Sequence, residues 1–334
     1  MNALPTVSVV IVARGRQQYL RRSVRSVLGQ VGLPFPAQLV VVKDFPDPFV
    51  DTLAEEGRAI VLRAEESSGV GENLLRGMEA ATGEVVAFLD DDDAFEPSKV
   101  LRISEAFAAD PKLVYFHTGV QLADDQGRPA RGLFHQNTRL DLLVDPSAPA
   151  TGRALERIVR HSAAINLSSV AVRRLRFLPF TERLRRMEGA TDYMFLYTAV
   201  ETGGRLRFTS ELLGTYFIHA SAMRPARPDR RAVDNFLRQV EVQTYAHDYG
   251  RLVLEPIGAR SAADCLLTEW EFVGSVVRGA TRRELARSYA SFVRQGLPVR
   301  PRVVLLAAPI FLASMGSSTL GLRALFVGRQ VVRD

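Results

Sequence analysis

The chain has 334 residues, 47% hydrophobic and 24% charged, which gives it apolar material for one large domain or two ordinary ones and excludes wholesale disorder. Its formal net charge is +6, with arginine supplying nearly all of the 43 basic residues; that balance suits phosphate-bearing ligands or an anionic surface without choosing between them. The single cysteine, Cys265, excludes an intramolecular disulfide framework and a cysteine-based zinc cluster.

The opening TVSVVIVA is apolar on both faces and reads as a central parallel strand. Its run of about six apolar residues is too short for a signal-peptide core. After RGR, the residues Tyr19, Leu20, Val24, Val27 and Leu28 recur at helical spacing and Gly29 closes the segment. AQLVVVKD (37–44) and RAIVLRA (58–64) are expected as further strands, GENLLRGMEAA (71–81) as a helix and EVVAFL (84–89) as a strand reaching Asp90. PSKVLRISEAFAAD (97–110) reads as a helix and KLVYFHTGV (112–120) as a strand. This alternation predicts a doubly wound parallel α/β sheet, in which ligands bind beyond the carboxyl ends of the strands. Asp44 and the run Asp90, Asp91, Asp92, Asp93 both fall at such ends.

Residues 121–153 read as loops, LERIVRHSAAI (155–165) and EGATDYMFLYTAVETGG (188–204) as helices, and RLRFTSELLGTYFIHAS (205–221) as two short strands. Beyond about residue 228 the pattern is helical, with a capping box at Thr281 and Glu284 ahead of an apolar stripe.

Four adjacent carboxylates raise one another's pKa and invite a counter-charge. Two readings stand: a divalent metal carrying a phosphate ligand, or a solvated acidic loop capping the helix near Pro97.

Taken in order, VSVVIVARGRQQYLRRSVRSVLGQ, LVVVKDF, SSGVGENLLRGMEAATGEVVAFLDDDD, GATDYMFLYTAVETG and YFIHAS resemble the family 2 glycosyltransferases of GT-A fold over roughly residues 6–224. The resemblance implies an inverting enzyme that moves a sugar from a nucleotide diphosphate to a hydroxyl. It makes Asp92 a ligand of Mg²⁺ or Mn²⁺ and Asp90 a contact to ribose or metal, with His219 reaching the metal or diphosphate. Asp93 would support the metal site from behind. Asp44 would hydrogen-bond the base, uracil in relatives, and Asp192 would be the general base. Ala13, Arg16, Gly69 and Asn73 fall where relatives touch the nucleotide. Each residue also has a plainer reading: a turn for Asp44 and Gly69, the N-cap of its own helix for Asp192, a packed histidine for His219.

Some positions depart from the family pattern. Val12, Ala13, Arg14, Gly15 and Arg16 stand where relatives have Pro-Thr-x-Asn-Arg, and Lys43 replaces the first of two acids beside Asp44. Leu74 and Leu75 occupy an Arg-Asn pair, with Asn73 and Arg76 as substitutes, and Thr191 replaces a glutamate. The metal-site residues match and the base-reading pocket is altered. A GT-A domain is expected over 1–225 (1–120 for the nucleotide-sugar, 121–225 for the acceptor and base), with a helical region over 226–334.

Two features address the acceptor side. RRLRFLPFTERLRR packs Arg173, Arg174, Arg176, Arg183, Arg185 and Arg186 around Phe177, Leu178 and Phe180, which suits a phosphate-bearing acceptor or an anionic lipid surface. Residues 303–322 carry no charge over nearly a span's length, are interrupted by Pro309, Gly316 and Ser317, and read as two short core or interfacial helices. The expected partners are a nucleotide-sugar, a glycan or lipid-linked acceptor and the inner face of a membrane, with a cytoplasmic, peripheral location. Nucleic acid is not expected, since no recognition motif accompanies the basic charge. Two rival readings are a degenerate, binding-only member of the same fold and a haloacid-dehalogenase-like phosphatase. The latter normally places its nucleophile after the first strand, which here ends in ARGR.

Overall fold

The computed structural model describes residues 3–65, 68–130, 140–189, 191–219 and 230–331. The chain divides into two compact units, the first built from residues within 3–130, 140–146 and 164–218, the second from 147–163, 219 and 230–331. The expected boundary at 225/226 lies outside the described residues.

In the first unit, β1 (Val7–Ala13) is apolar except for the buried Ser8, because both of its faces are covered. It pairs in parallel with β2 (Gln38–Lys43) and with β4 (Val85–Asp90), placing Val10 beside Val40 and Phe88. β3 (Ile60–Arg63) extends the parallel set beyond β2. Helix α1 (Gln17–Leu28) turns Leu20, Val24 and Val27 inward against a core that includes Val9, Ile11, Val41 and Leu89. Each such side chain contributes about 1.5–3 kcal/mol on full burial. Helix α2 (Pro48–Glu55) starts on Asp47, whose carboxylate accepts the Val50 N–H at 3.0 Å. Helix α3 (Val70–Ala80) approaches the segment 184–187 so closely that a Cβ on Gly71 would stand 1.7 Å from the Leu184 carbonyl oxygen, so only glycine fits there.

The remainder departs from a doubly wound parallel sheet. After the two-residue β5 (Ala94–Phe95) and helix α4 (Lys99–Ala109) come β6 (Leu113–Asp124) and β7 (Leu142–Val144), then β8 (Val170–Arg173) and β9 (Arg205–Ile218). Among the described residues, nine strands form one mixed sheet ordered β3-β2-β1-β4-β8-β6-β9-β5, with β7 on β9. β8 runs antiparallel to both β4 and β6, which ends the parallel block. β6 runs four residues past Val120, into a stretch expected to be loop, and residues 205–218 are one strand where two were expected. Register shifts in the β6–β9 pairing absorb the irregularity around Gly119 and Gly214.

The second unit is helical: α5 (Thr151–Arg160), then α8 (Arg230–Leu254), α9 (Arg260–Val277), α10 (Arg282–Val299), α11 (Pro301–Gly316) and α12 (Ser318–Val331). The first unit holds the intervening single turn α6 (Arg174–Phe177) and α7 (Asp192–Glu201). The capping box forms as expected, with Glu284 Oε2 accepting the Thr281 N–H at 3.0 Å. Phe236, Val240, Phe272, Phe292 and Leu325 make this unit's core. Residues 303–322 are two helices broken at Ser317. Among the described residues no helix is long and apolar enough to cross a membrane.

Candidate active site

Strands β1, β2 and β4 are parallel and in register, so their carboxyl ends, Ala13, Lys43 and Asp90, lie along one edge. Ala13 itself is fully buried in the core, which leaves the following loop to meet any ligand. Gly15 takes φ +65°, a left-handed turn that glycine adopts freely, and its N–H donates to Asp44 Oδ1 at 2.9 Å. The turn brings the Arg16 guanidinium onto the acid run, where it donates to both Asp91 and Asp92. Helix α1 fastens the same run from its backbone side: Arg22 donates to the Asp92 carbonyl at 2.8 Å and Ser23 Oγ to the Asp93 carbonyl at 2.7 Å. The Arg22 guanidinium also lies 3.4 Å from the centre of the Phe217 ring.

The four aspartates alternate in role. Asp91 and Asp93 are 0% and 1% exposed, while Asp90 and Asp92 are partly exposed. Asp93 Oδ2 accepts from Ser168 Oγ at 2.6 Å and Oδ1 from the Phe217 N–H at 3.4 Å. Burial, then the neighbouring Asp92, pushes Asp93 up to about 7. Asp91 is likewise pushed to about 7 by burial, against the pull of Arg16. Asp90 is raised well above the usual carboxylate range, by burial and then by the charges of Asp93, Asp92, Asp192 and Asp91. The solvated-loop reading is overturned for half the run. Nor does the run cap α4, whose N-cap is Ser98 and receives no side-chain hydrogen bond.

Asp192 opens α7 at its first helical position; the N-cap is Thr191, one residue earlier than the capping reading put it. Its Oδ2 accepts the Asn166 N–H at 3.1 Å. Burial raises its pKa to about 6, with the hydrogen bond from Asn166 opposing. Asn73 is fully buried and its Oδ1 accepts from Ser68 Oγ at 3.0 Å. Gly69 is the N-cap of α3, and Ser67 lies outside the described residues. His219 falls in the second unit and is 8% exposed.

Among the described residues no three His, Cys, Asp or Glu side chains gather to hold a metal ion. The first unit does offer two partly exposed carboxylates, Asp90 and Asp92, one residue apart at a strand end. Hard oxygen donors of this kind fit Mg²⁺ or Mn²⁺, and Mg²⁺ commonly binds through one or two carboxylates and fills its remaining positions with phosphate oxygens and water. Arg16 already neutralises part of the Asp92 charge.

The arginine-rich run is largely engaged within the protein. Arg185 pairs with Glu72 at 2.6 Å, Arg183 with Glu201 at 3.4 Å, and Arg173 and Arg174 donate to the carbonyls of Leu113 and Gly83 at 3.0 Å. Lys99, Ser168 and Asn166 are site residues that sequence reasoning missed. Lys99 is fully buried, donating to Thr118 Oγ1 at 3.1 Å and the Ser168 carbonyl at 2.6 Å. It sits on the apolar stripe of α4 with Ile103 and Phe107, and a lysine on such a stripe was a readable signal. Asn166 and Ser168 gave none.

Residues 8–158 match the family model described as Glycosyl transferase family 2. This segment belongs to that family. Asp44, Asn73 and the four aspartates lie within the family 2 segment, and Asp192 and His219 lie beyond it. A putative teichuronic acid biosynthesis glycosyltransferase, TuaG of Bacillus subtilis, is 30% identical over 138 residues, 40% of this chain and 54% of the relative; the chain thus spans about half the length of that relative. Two solved structures share the GT-A fold. S. aureus TarS 1–349 in complex with UDP-GlcNAc has a TM-score of 0.53 at 16% identity, covering 97% of this chain and 91% of that one. The mannosyltransferase PcManGT of Pyrobaculum calidifontis, in complex with GDP-Man and Mn²⁺, has a TM-score of 0.53 at 15% identity, covering 98% and 87%.

Proposed function

We propose that the chain is an inverting, metal-dependent glycosyltransferase that moves a sugar from a nucleotide diphosphate, a UDP-sugar first among candidates, to a hydroxyl of a glycan or lipid-linked acceptor. The observation that carries this reading is the division of the acid run: Asp91 and Asp93 anchor it, and Asp90 and Asp92 remain open to a ligand at the carboxyl edge of the parallel strands. The donors bound by the two fold neighbours, UDP-GlcNAc and GDP-Man, support the substrate class.

Asp90 and Asp92 would hold Mg²⁺ or Mn²⁺, which when bound neutralises charge on the leaving diphosphate. Asp44, tied to the Gly15 N–H, would face the base beside Arg14. Asp192 takes the proton of the acceptor hydroxyl as that oxygen bonds to the anomeric carbon. The bond to the diphosphate breaks on the opposite face, so the configuration inverts. One observation favours a binding-only reading: Arg16 already spans Asp91 and Asp92, the counter-charge that a metal would otherwise supply.

Titration calorimetry with UDP, GDP and dTDP, with and without Mn²⁺, tests the donor assignment. One nucleotide is expected to bind at least about tenfold tighter with Mn²⁺, a gain of about 1.4 kcal/mol, and Asp92→Ala is expected to abolish that gain. Binding of none by the folded protein would sink the donor assignment.

We further assign the membrane contact to α11 and α12. Leu305, Leu306 and Leu312 are 66%, 58% and 68% exposed on α11, and Leu320 is 52% exposed on α12. Between Glu284 and Asp334 the sequence has seven arginines and no carboxylate. Apolar exposure with one-signed charge suits an anionic bilayer, where each basic residue near the surface adds about 1 kcal/mol. The protein is expected to float with phosphatidylglycerol vesicles and not with phosphatidylcholine vesicles, and Leu305→Glu/Leu306→Glu is expected to weaken that binding about tenfold. Equal recovery with both vesicle types would defeat the assignment.

A further inference from the structure

Residues 166–168 hold the two halves of this chemistry together. Asn166 has φ +85° and ψ 105°, a conformation that side chains rarely adopt and that persists where surrounding contacts enforce it. In it the backbone N–H donates to Asp192 Oδ2 at 3.1 Å, and the side-chain Oδ1 accepts the Ser168 N–H at 3.0 Å. Asn166 Nδ2 is buried with no hydrogen-bond partner, so the side chain is kept here at the expense of one donor.

Ser168 grips the acid run from the other side. Its Oγ accepts the Asp90 N–H at 3.0 Å and donates to Asp93 Oδ2 at 2.6 Å, while its carbonyl accepts from Lys99 Nζ at 2.6 Å. A single turn therefore contacts Asp192, Asp90 and Asp93 within three residues.

We propose that residues 166–168 are a positioning turn for the transfer step, with Asn166 setting the Asp192 carboxylate and Ser168 registering it against the Asp90–Asp93 run. This rests on the reading of Asp192 as general base. Misplacing a reacting group by about 1 Å costs about a hundredfold in rate, and a base on one helix and donor ligands on a separate strand end have no shared backbone to fix their separation. Holding the carboxylate by an N–H also favours its charged form, the form a base needs. The titratable groups that face Asp192 are Asp90 at the end of β4 and the Tyr115 phenol from β6.

The test uses the full chain and needs no substrate. Carboxyl carbons are titrated by NMR in wild type, Asn166→Ala, Asn166→Gly and Asp192→Asn, the last to assign the Asp192 signal. Glycine keeps both the backbone shape and the N–H, whereas alanine resists that φ. Asn166→Ala is expected to raise the Asp192 midpoint by roughly one unit and Asn166→Gly to leave it near wild type. If Asn166→Ala fails to fold, the Asn166 amide signal in wild type decides: it is expected to titrate with Asp192 and to lose that titration in Asp192→Asn. An Asp192 midpoint unchanged in Asn166→Ala, or an Asn166 amide indifferent to Asp192, overturns the proposal. Kinetics separate the two readings, since positioning predicts a ten- to hundredfold lower kcat in Asn166→Ala at unchanged donor KM. Full kcat in Asp192→Asn would instead defeat the base assignment, with the titration still deciding whether Asn166 holds that carboxylate.

Discussion

Asp192→Asn is expected to lower kcat for sugar transfer by about 10²–10⁴-fold while leaving nucleotide affinity near wild type and the melting temperature at or above it. The substitution keeps the shape of the side chain and still offers an oxygen to the Asn166 N–H, so only the proton-accepting capacity is removed. It should not unfold the protein. Folding raises the pKa of Asp192 from 3.8 to about 6, so this group favours the folded state below pH 3.8 and loses that contribution as pH rises through about 6. At neutral pH a neutral amide therefore removes a burden. The same shift fixes the wild-type rate profile: the carboxyl is protonated and inactive below about 6, and kcat should climb as pH rises through that value. A variant retaining more than about a tenth of wild-type kcat would remove Asp192 from the base role.

Sequence and structure agree where the signal is local. β1, β2 and β4 are short apolar runs with punctuated ends, so both their existence and the placement of Asp44 and Asp90 at one edge were legible. The mixed order of the sheet was not, because β8 enters between β4 and β6 from about eighty residues downstream of β4, and no local period encodes that pairing. Residues 205–218 read as two strands but form one, with the register shifts beside Gly119 absorbing the irregularity. The arginine-rich run looked free for the same reason that β8 was hidden: Arg185 meets Glu72, 113 positions away. Within the candidate site, the carboxylates were visible by type and the supporting groups were not. An asparagine acting through its backbone N–H, and a serine through Oγ and carbonyl together, leave no residue-type signature.

Lys99→Ala is expected to destabilise the fold by about 3–5 kcal/mol, the range for removing one partner from a buried charged network. The side chain is fully buried, its Nζ donates to Thr118 Oγ1 and the Ser168 carbonyl, and it lies 4.3 Å from the centre of the Phe95 ring. Truncation leaves both acceptors short of a donor, opens a cavity beneath β6 and takes away a cation that lowers the Asp93 pKa. Lys99→Met restores most of the volume without the donor, so it should recover the cavity part of the loss and keep the hydrogen-bond part. A pH series adds a signature that a cavity alone cannot give. Burial lowers the Lys99 pKa from 10.5 to about 7, so its ionisation favours the folded state above pH 10.5, and that contribution is lost as pH falls through about 7. The stability gap between wild type and Lys99→Met should therefore narrow as pH falls from about 10 to 7 in denaturant titrations. A gap that stays constant across that interval would mean the ammonium is not desolvated as its position requires. A loss below about 1 kcal/mol for Lys99→Ala would mean that the Ser168 carbonyl, and with it the turn beside Asp93, is held by something else.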